Sequence, residues 1–74
     1  MRVKVKLFAN FRINRFKQEI REYNSTMTVG AIVEELGIPD SEVGIIFING
    51  RGTSMDQVLR EGDTLSLFPL VGGG

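Results

Sequence analysis

The sequence predicts an α+β fold in which one amphipathic helix packs across one face of a mixed β-sheet, in the order β-β-α-β-β. Polar and apolar residues alternate near both ends of the chain, as in half-buried strands, and a helical spacing of apolar residues lies between them. The 74 residues suffice for one small domain. We place this domain at residues 1–70 and expect a flexible, glycine-rich tail at residues 71–74.

The first two strands are expected to form a hairpin. In the first strand Val3, Val5 and Leu7 alternate with basic residues, which predicts that these three side chains face the core. A polar stretch over residues 10–15 then leads into a second strand over residues 16–23.

The helix is predicted over residues 29–36, because its apolar residues recur at the spacing i, i+3, i+4, i+7. These residues are Val29, Ile32, Val33 and Leu36. Thr28 is a suitable N-cap, and Gly37 followed by Pro39 is typical of a helix end.

Two further strands follow the helix. Residues 45–48 form a short apolar run that ends at Asn49 and Gly50, a pair that favours a tight turn. An irregular stretch continues to residue 59, and a turn at residues 61–63 precedes the last strand at residues 64–68.

An exposed aromatic patch is predicted on the face of the sheet opposite the helix. If the first and last strands are central neighbours, strand alternation directs Phe8 and Phe68 away from the helix. Phe47 or Ile45 would extend the patch if their side chains also face outward. A large apolar surface of this kind is usually covered by a partner. The alternative is that Phe8 lies at a strand end and turns inward.

The composition narrows the classes of function. The chain has no Cys and no His, so it has no thiol nucleophile, no disulfide and no thiolate or imidazole metal ligand. A domain this small also has little room for an enclosed active site. An autonomous enzyme and a metal site are therefore disfavoured. No stretch approaches the roughly 18 apolar residues of a spanning helix, so we expect a cytoplasmic protein without a membrane partner.

Charge is unevenly distributed. Residues 1–21 hold seven of the nine Lys and Arg residues but one acid, Glu19. Such a division can indicate a nucleic-acid partner, but no interleaved basic and aromatic stripe accompanies it. We therefore disfavour nucleic acid and expect the basic and acidic parts to face different partners or each other.

The glycines at residues 72–74 predict a function for the end of the chain. A tail without side chains is thin enough to enter a narrow active site on another protein, where the terminal carboxylate of Gly74 would react. The alternative is a frayed end without function.

Several segments together carry a family resemblance. They are Val5-Lys6-Leu7-Phe8-Ala9, Thr28-Val29 with Leu36, Ile48-Asn49-Gly50-Arg51, Glu61-Gly62-Asp63 and Phe68-Pro69-Leu70-Val71-Gly72-Gly73-Gly74. With these segments the whole chain resembles the MoaD/ThiS sulfur carriers, which are ubiquitin-like β-grasp proteins. The ending is the most specific segment and is closest to the molybdopterin synthase small subunit, although Leu70 replaces a second proline and Gly72 replaces another small residue.

The resemblance implies a carrier that is not itself an enzyme. A MoeB/ThiF-like activating enzyme, which uses ATP and Mg²⁺, would adenylate the carboxylate of Gly74, and a sulfur donor protein would supply the sulfur of a thiocarboxylate. Val71, Gly72 and Gly73 would insert into a MoaE-like large subunit of molybdopterin synthase or into another sulfur acceptor enzyme. The expected partner-binding residues are Phe8, Phe68, Pro69 and Leu70. The isolated chain is expected to bind no metal or organic cofactor.

Three alternatives stay open at this point. The chain could be a ThiS-type carrier for thiamine biosynthesis, or a ubiquitin-like modifier joined through Gly74 to lysines of target proteins. It could also be a β-grasp interaction module whose tail has no function. The carrier and the modifier share the same activation chemistry and differ in the final product.

Overall fold

A computed structural model describes residues 1–70 of the chain. Within this range there are five strands and one α-helix, with a short 3₁₀ helix after the first strand and another before the third. The strands and the helix are β1 (Arg2–Leu7), β2 (Gln18–Glu22), α1 (Val29–Glu35), β3 (Val43–Ile48), β4 (Arg51–Gly52) and β5 (Thr64–Pro69). The predicted tail, with Val71, Gly72, Gly73 and Gly74, lies outside the described residues.

The sheet is mixed and has the strand order β2-β1-β5-β3-β4. The central strands β1 and β5 are parallel, and the other neighbouring pairs are antiparallel. The predicted α+β class, with one helix across one face of a mixed sheet, is confirmed. Because β1 and β5 are adjacent, residues from the two ends of the domain lie side by side on both faces of the sheet.

The prediction of four strands was wrong by one strand. Asn49 and Gly50 have φ angles of 52° and 82°, so the chain reverses tightly and residues 51 and 52 pair with the end of β3. A two-residue strand is too short to show the alternation by which the other strands were predicted.

The core lies between the helix and the sheet, and its main residues were predicted correctly. Val3, Val5 and Leu7 of β1 are fully buried, as are Leu65 and Leu67 of β5. On the helix, Val29, Ile32 and Val33 are buried against them.

The stretch at residues 10–15 is more than a polar connection. Residues Ala9–Arg12 form a 3₁₀ helix that directs Phe11 into the core, where it is 3% exposed. Ile38 and Leu59 are also buried and come from the connections that follow α1 and β4. A single apolar residue in a connection has no periodic pattern around it, which is why these three positions were missed.

The ends of α1 match the sequence prediction. The hydroxyl oxygen of Thr28 accepts a hydrogen bond from the amide of Ala31 at 3.1 Å, as expected for an N-cap. Gly37 follows the C-cap with a φ of 73°, a conformation that glycine adopts without strain. No helix within residues 1–70 is both long and apolar enough to cross a lipid bilayer.

Candidate functional site

The face of the sheet opposite the helix carries the predicted patch. Leu67 pairs with Leu7 and with Ile46 in the core, so the next residue of β5, Phe68, points to the other face. Phe8 follows β1 with extended φ and ψ angles of −125° and 155°, and its amide donates a hydrogen bond to the carbonyl of Leu67. The alternation of β1 therefore continues to Phe8, and its ring stays on the outer face.

Three phenylalanine rings, from Phe8, Phe47 and Phe68, meet there and form the aromatic cluster. The rings of Phe8 and Phe68 are stacked, with centroids 4.1 Å apart and planes 9° from parallel. Phe47 meets Phe68 edge to face at 5.8 Å and 88°. None of the three rings belongs to the core, and each is half-buried because it packs against its neighbours.

Aliphatic residues extend the aromatic cluster toward the end of β5. Ile45 lies opposite Phe68 in the register of β3 and β5 and is 48% exposed, and Leu70 is 60% exposed. Half-exposed rings beside exposed aliphatic groups leave apolar area in water, and covering that area with a partner is favourable.

Three cations lie on the β1 side of the outer face, one of them in contact with the aromatic cluster. Lys4 and Lys6 share the outer face with Phe8, and Arg12 places its guanidinium carbon 5.2 Å from the centroid of the Phe8 ring. The Nε of Arg12 donates to the carbonyl of Leu7 at 2.6 Å, which holds the cation over the ring. No ion pair is recorded for these three cations within residues 1–70. The surface therefore has an apolar centre and a basic rim.

The end of β5 is held by two contacts with β3 and the residues before it. Pro69 lies opposite Val43, and the amide of Leu70 donates a hydrogen bond of 2.9 Å to the carbonyl of Glu42. Next to these contacts, Gly44 approaches the main chain of Pro69 and Leu70 closely. The chain is thus fixed to the sheet until one residue before the predicted tail.

The structure brings the four predicted partner-binding residues together at one end of the sheet. Phe8 and Phe68 are in contact, and Pro69 and Leu70 follow Phe68 directly. Arg12 and Gly44 were not predicted from the sequence. Gly44 lies near the start of β3, where a glycine can signal a close backbone approach, but the predicted strand began at residue 45.

Within residues 1–70 no three His, Cys, Asp or Glu side chains are grouped so that they could hold a metal ion. What the outer face offers is a surface for binding, beside the point where the chain leaves the sheet.

Comparison with known proteins identifies the family. The model of the Mut7-C ubiquitin family matches residues 3–72. Comparison with curated proteins gave no match.

Solved structures give the same fold. A putative molybdopterin converting factor, subunit 1, from Pyrococcus furiosus is 31% identical over 96% of this chain and 99% of its own, with a TM-score of 0.76. SAMP1 from Haloferax volcanii is 22% identical over the whole of both chains, with a TM-score of 0.74. A chain from the complex of subunits 1 and 2 of the molybdopterin-converting factor of Helicobacter pylori 26695 is 21% identical over the whole of both chains, with a TM-score of 0.65.

The predicted MoaD-like β-grasp architecture agrees with these relatives. The chain belongs to the Mut7-C ubiquitin family of ubiquitin-like domains.

Proposed function

We propose that this domain is a sulfur carrier that acts through the carboxylate of Gly74 and supplies sulfur in molybdopterin biosynthesis. The observation that carries the proposal is the similarity of nearly the whole chain to the putative molybdopterin converting factor subunit 1 of Pyrococcus furiosus. In this role the domain is a substrate and a carrier, and its partner enzymes perform the catalysis.

The chemistry proceeds in two displacements. A carboxylate oxygen of Gly74 attacks the α-phosphorus of ATP on a MoeB/ThiF-like enzyme, pyrophosphate leaves, and an acyl adenylate forms. A sulfide nucleophile from a donor protein then adds to the carbonyl carbon, and AMP leaves. The product is a thiocarboxylate. Because the chain has no Cys, no thiol on the carrier competes for the activated carbonyl.

The aromatic cluster has a defined role in this proposal. A partner that covers Phe8, Phe47 and Phe68 would gain binding free energy from the apolar centre of the outer face. The chain leaves the sheet directly after this surface, at Leu70. Docking there would bring residues 71–74 to the partner's active site, first on the activating enzyme and then on a MoaE-like large subunit.

The adenylation step can be tested by ATP–pyrophosphate exchange. The purified chain is incubated with a MoeB/ThiF-like enzyme, Mg²⁺, ATP and labelled pyrophosphate, and the label in ATP is measured. We expect exchange that depends on the chain and disappears when Gly74 is deleted. Exchange that is absent with the wild-type chain, or unaffected by the deletion, would contradict the proposal.

The fate of the activated chain distinguishes the molybdopterin role from the two alternatives, a thiamine carrier and a protein modifier. After addition of sulfide, a thiocarboxylate that a MoaE-like subunit consumes in forming a dithiolene from its pterin precursor supports the molybdopterin role. Consumption by a thiazole-forming enzyme instead would place the chain in thiamine biosynthesis. An isopeptide bond between Gly74 and a lysine of a target protein would show a ubiquitin-like modifier.

A further inference from the structure

The contact between β3 and the end of β5 contains an irregularity at one residue. Val43 lies opposite Pro69, but Ile45 lies opposite Phe68, so two steps along β3 correspond to one step along β5. The extra residue is Gly44. A bulge of this kind bends the strand and redirects the chain locally.

Gly44 is required there by space and not by its backbone angles. Its φ is outside the left-handed region, so other residues could adopt the same conformation. A methyl group on its Cα, however, would lie 2.8 Å from the carbonyl oxygen of Pro69, and 2.9 Å and 3.0 Å from the Cα and N of Leu70. All three atoms belong to the main chain, so they cannot move away by a change of side-chain rotamer.

The position of Leu70 therefore depends on two neighbours. The carbonyl of Glu42 accepts the hydrogen bond from its amide, and the bare Cα of Gly44 leaves the space that its main chain occupies. Together they fix the point at which the chain leaves the sheet, at Leu70.

We infer that Gly44 is a positioning residue for the reactive end of the chain. It never touches the reacting atoms; it allows the Pro69–Leu70 main chain to lie against β3, and so sets the point from which Gly74 extends to a partner's active site. The inference rests on the proposed function of Gly74. Because Leu70 is the last residue before the predicted tail, displacing it changes how far Gly74 can reach into a partner's active site, and this is expected to slow activation.

The structural part is tested on the wild-type chain by NMR. We expect slowed hydrogen exchange at the amide of Leu70 and a nuclear Overhauser cross-peak between an Hα of Gly44 and the Hα of Leu70. An amide that exchanges freely, together with no cross-peak, would overturn the inference. This measurement needs no partner enzyme, so it tests the contact between Gly44 and Leu70 by itself, whereas a wild-type chain that is never activated would overturn the proposed function.

The functional part compares two substitutions of strand glycines, Gly44→Ala and Gly52→Ala. At Gly52 the nearest atom to an added methyl group is the Cε1 of Phe47 at 4.0 Å, so the change fits and serves as the matched control. We expect Gly44→Ala to lose the protection of the Leu70 amide and to slow ATP–pyrophosphate exchange by at least about tenfold. Gly52→Ala should stay within about twofold of the wild type.

Equal exchange rates for the two variants, with both folded, would overturn the inference. A Gly44→Ala chain that fails to fold would be recognised by its amide spectrum, and the wild-type exchange and cross-peak would then decide whether Gly44 contacts Leu70, a contact without which the inference fails.

Discussion

Phe68 is the central ring of the aromatic cluster and lies one residue before the end of β5. Its ring contacts both Phe8 and Phe47, while the residue before it, Leu67, is fully buried. A substitution of Phe68 therefore changes the proposed docking surface and leaves the core on the other face intact.

We expect Phe68→Asp to weaken association with the activating enzyme by at least about tenfold, because a carboxylate would replace the central ring of the apolar surface. Association is measured by isothermal titration calorimetry and folding by thermal unfolding. Ile13→Asp is the matched control, since Ile13 is 64% exposed in the β1–β2 connection, outside the aromatic cluster. If Phe68→Asp bound as tightly as Ile13→Asp, the docking role of the cluster would be wrong.

Ile32 gives the contrasting case of a residue that acts on stability. Its side chain is fully buried between α1 and the sheet. Ile32→Ala should therefore lower the free energy of unfolding by about 2 to 4 kcal/mol, through lost burial and the cavity that remains. Ile20 is 55% exposed on the outer face of β2, and Ile20→Ala should change the same quantity by less than about 0.5 kcal/mol. Urea unfolding that gave similar losses for both variants would contradict the assignment of the two faces.

At the scale of elements, a polar cluster joins β2 to α1. Glu35 of the helix accepts hydrogen bonds from the hydroxyl of Tyr23 at 2.6 Å and from the guanidinium of Arg21 at 2.7 Å. The hydrogen bond from Tyr23 has the largest effect and lowers the pKa of Glu35; burial opposes it, and the hydrogen bond and charge of Arg21 lower the pKa further. Burial and the hydrogen bond to Glu35 raise the pKa of Tyr23. The edge strand β2 is thus tied to the helix as well as to β1.

The lowered pKa of Glu35 predicts a dependence of stability on pH. Because the carboxylate is favoured in the folded state, its contribution is complete above the unfolded pKa of about 4.3 and is lost as the pH falls through the lower folded value. Glu35→Gln should therefore be less stable than the wild type at pH 7, and the difference should shrink as the pH falls below the unfolded pKa of the carboxyl group. With 40% of the Glu35 side chain exposed, the difference at pH 7 should stay below about 1 kcal/mol.

The measurement is urea unfolding between pH 3 and pH 7. Glu34→Gln is the control, because Glu34 is exposed on the same helix and has no ion pair recorded within residues 1–70. A gap between wild type and Glu35→Gln that stayed constant over this range would rule out the carboxylate as its cause.

Arg15 makes a second connection between elements. Its side chain donates to the carbonyls of Leu36 and Gly37, at 3.1 Å and 3.4 Å, and so satisfies the C-terminal end of α1. One of the basic residues of the first hairpin, Arg15, therefore binds within the domain. Lys4 and Lys6 lie on the outer face.

At the scale of the whole molecule, the alternation and helical spacing in the sequence predicted which face of each strand and helix is buried. The alternation in β1 predicted both the buried valines and the outward ring of Phe8, and the helical spacing predicted the buried face of α1. Phe11 was missed because its burial depends on a 3₁₀ helix that turns back over the sheet. The space beside Gly44 was missed because it is created by a strand more than twenty residues away in the sequence.

The central claim is that Gly74 carries sulfur, and intact mass spectrometry tests it most directly. The chain is incubated with its activating enzyme, ATP and sulfide, and then alkylated with a thiol reagent. Because the chain has no Cys, no other thiol competes for a thiol-selective reagent, which separates the expected gain of about 16 Da from oxidation of a methionine.

We predict one alkylation site, located at Gly74 by fragmentation. The product should disappear when Gly74 is deleted or when one residue is added after it, since each added residue displaces the carboxylate by about 3.3 to 3.6 Å. The melting temperature should be nearly unchanged by either alteration. Thiolation of the extended chain as efficient as that of the wild type, or a wild-type chain that takes up no reagent, would contradict the claim that Gly74 carries the sulfur.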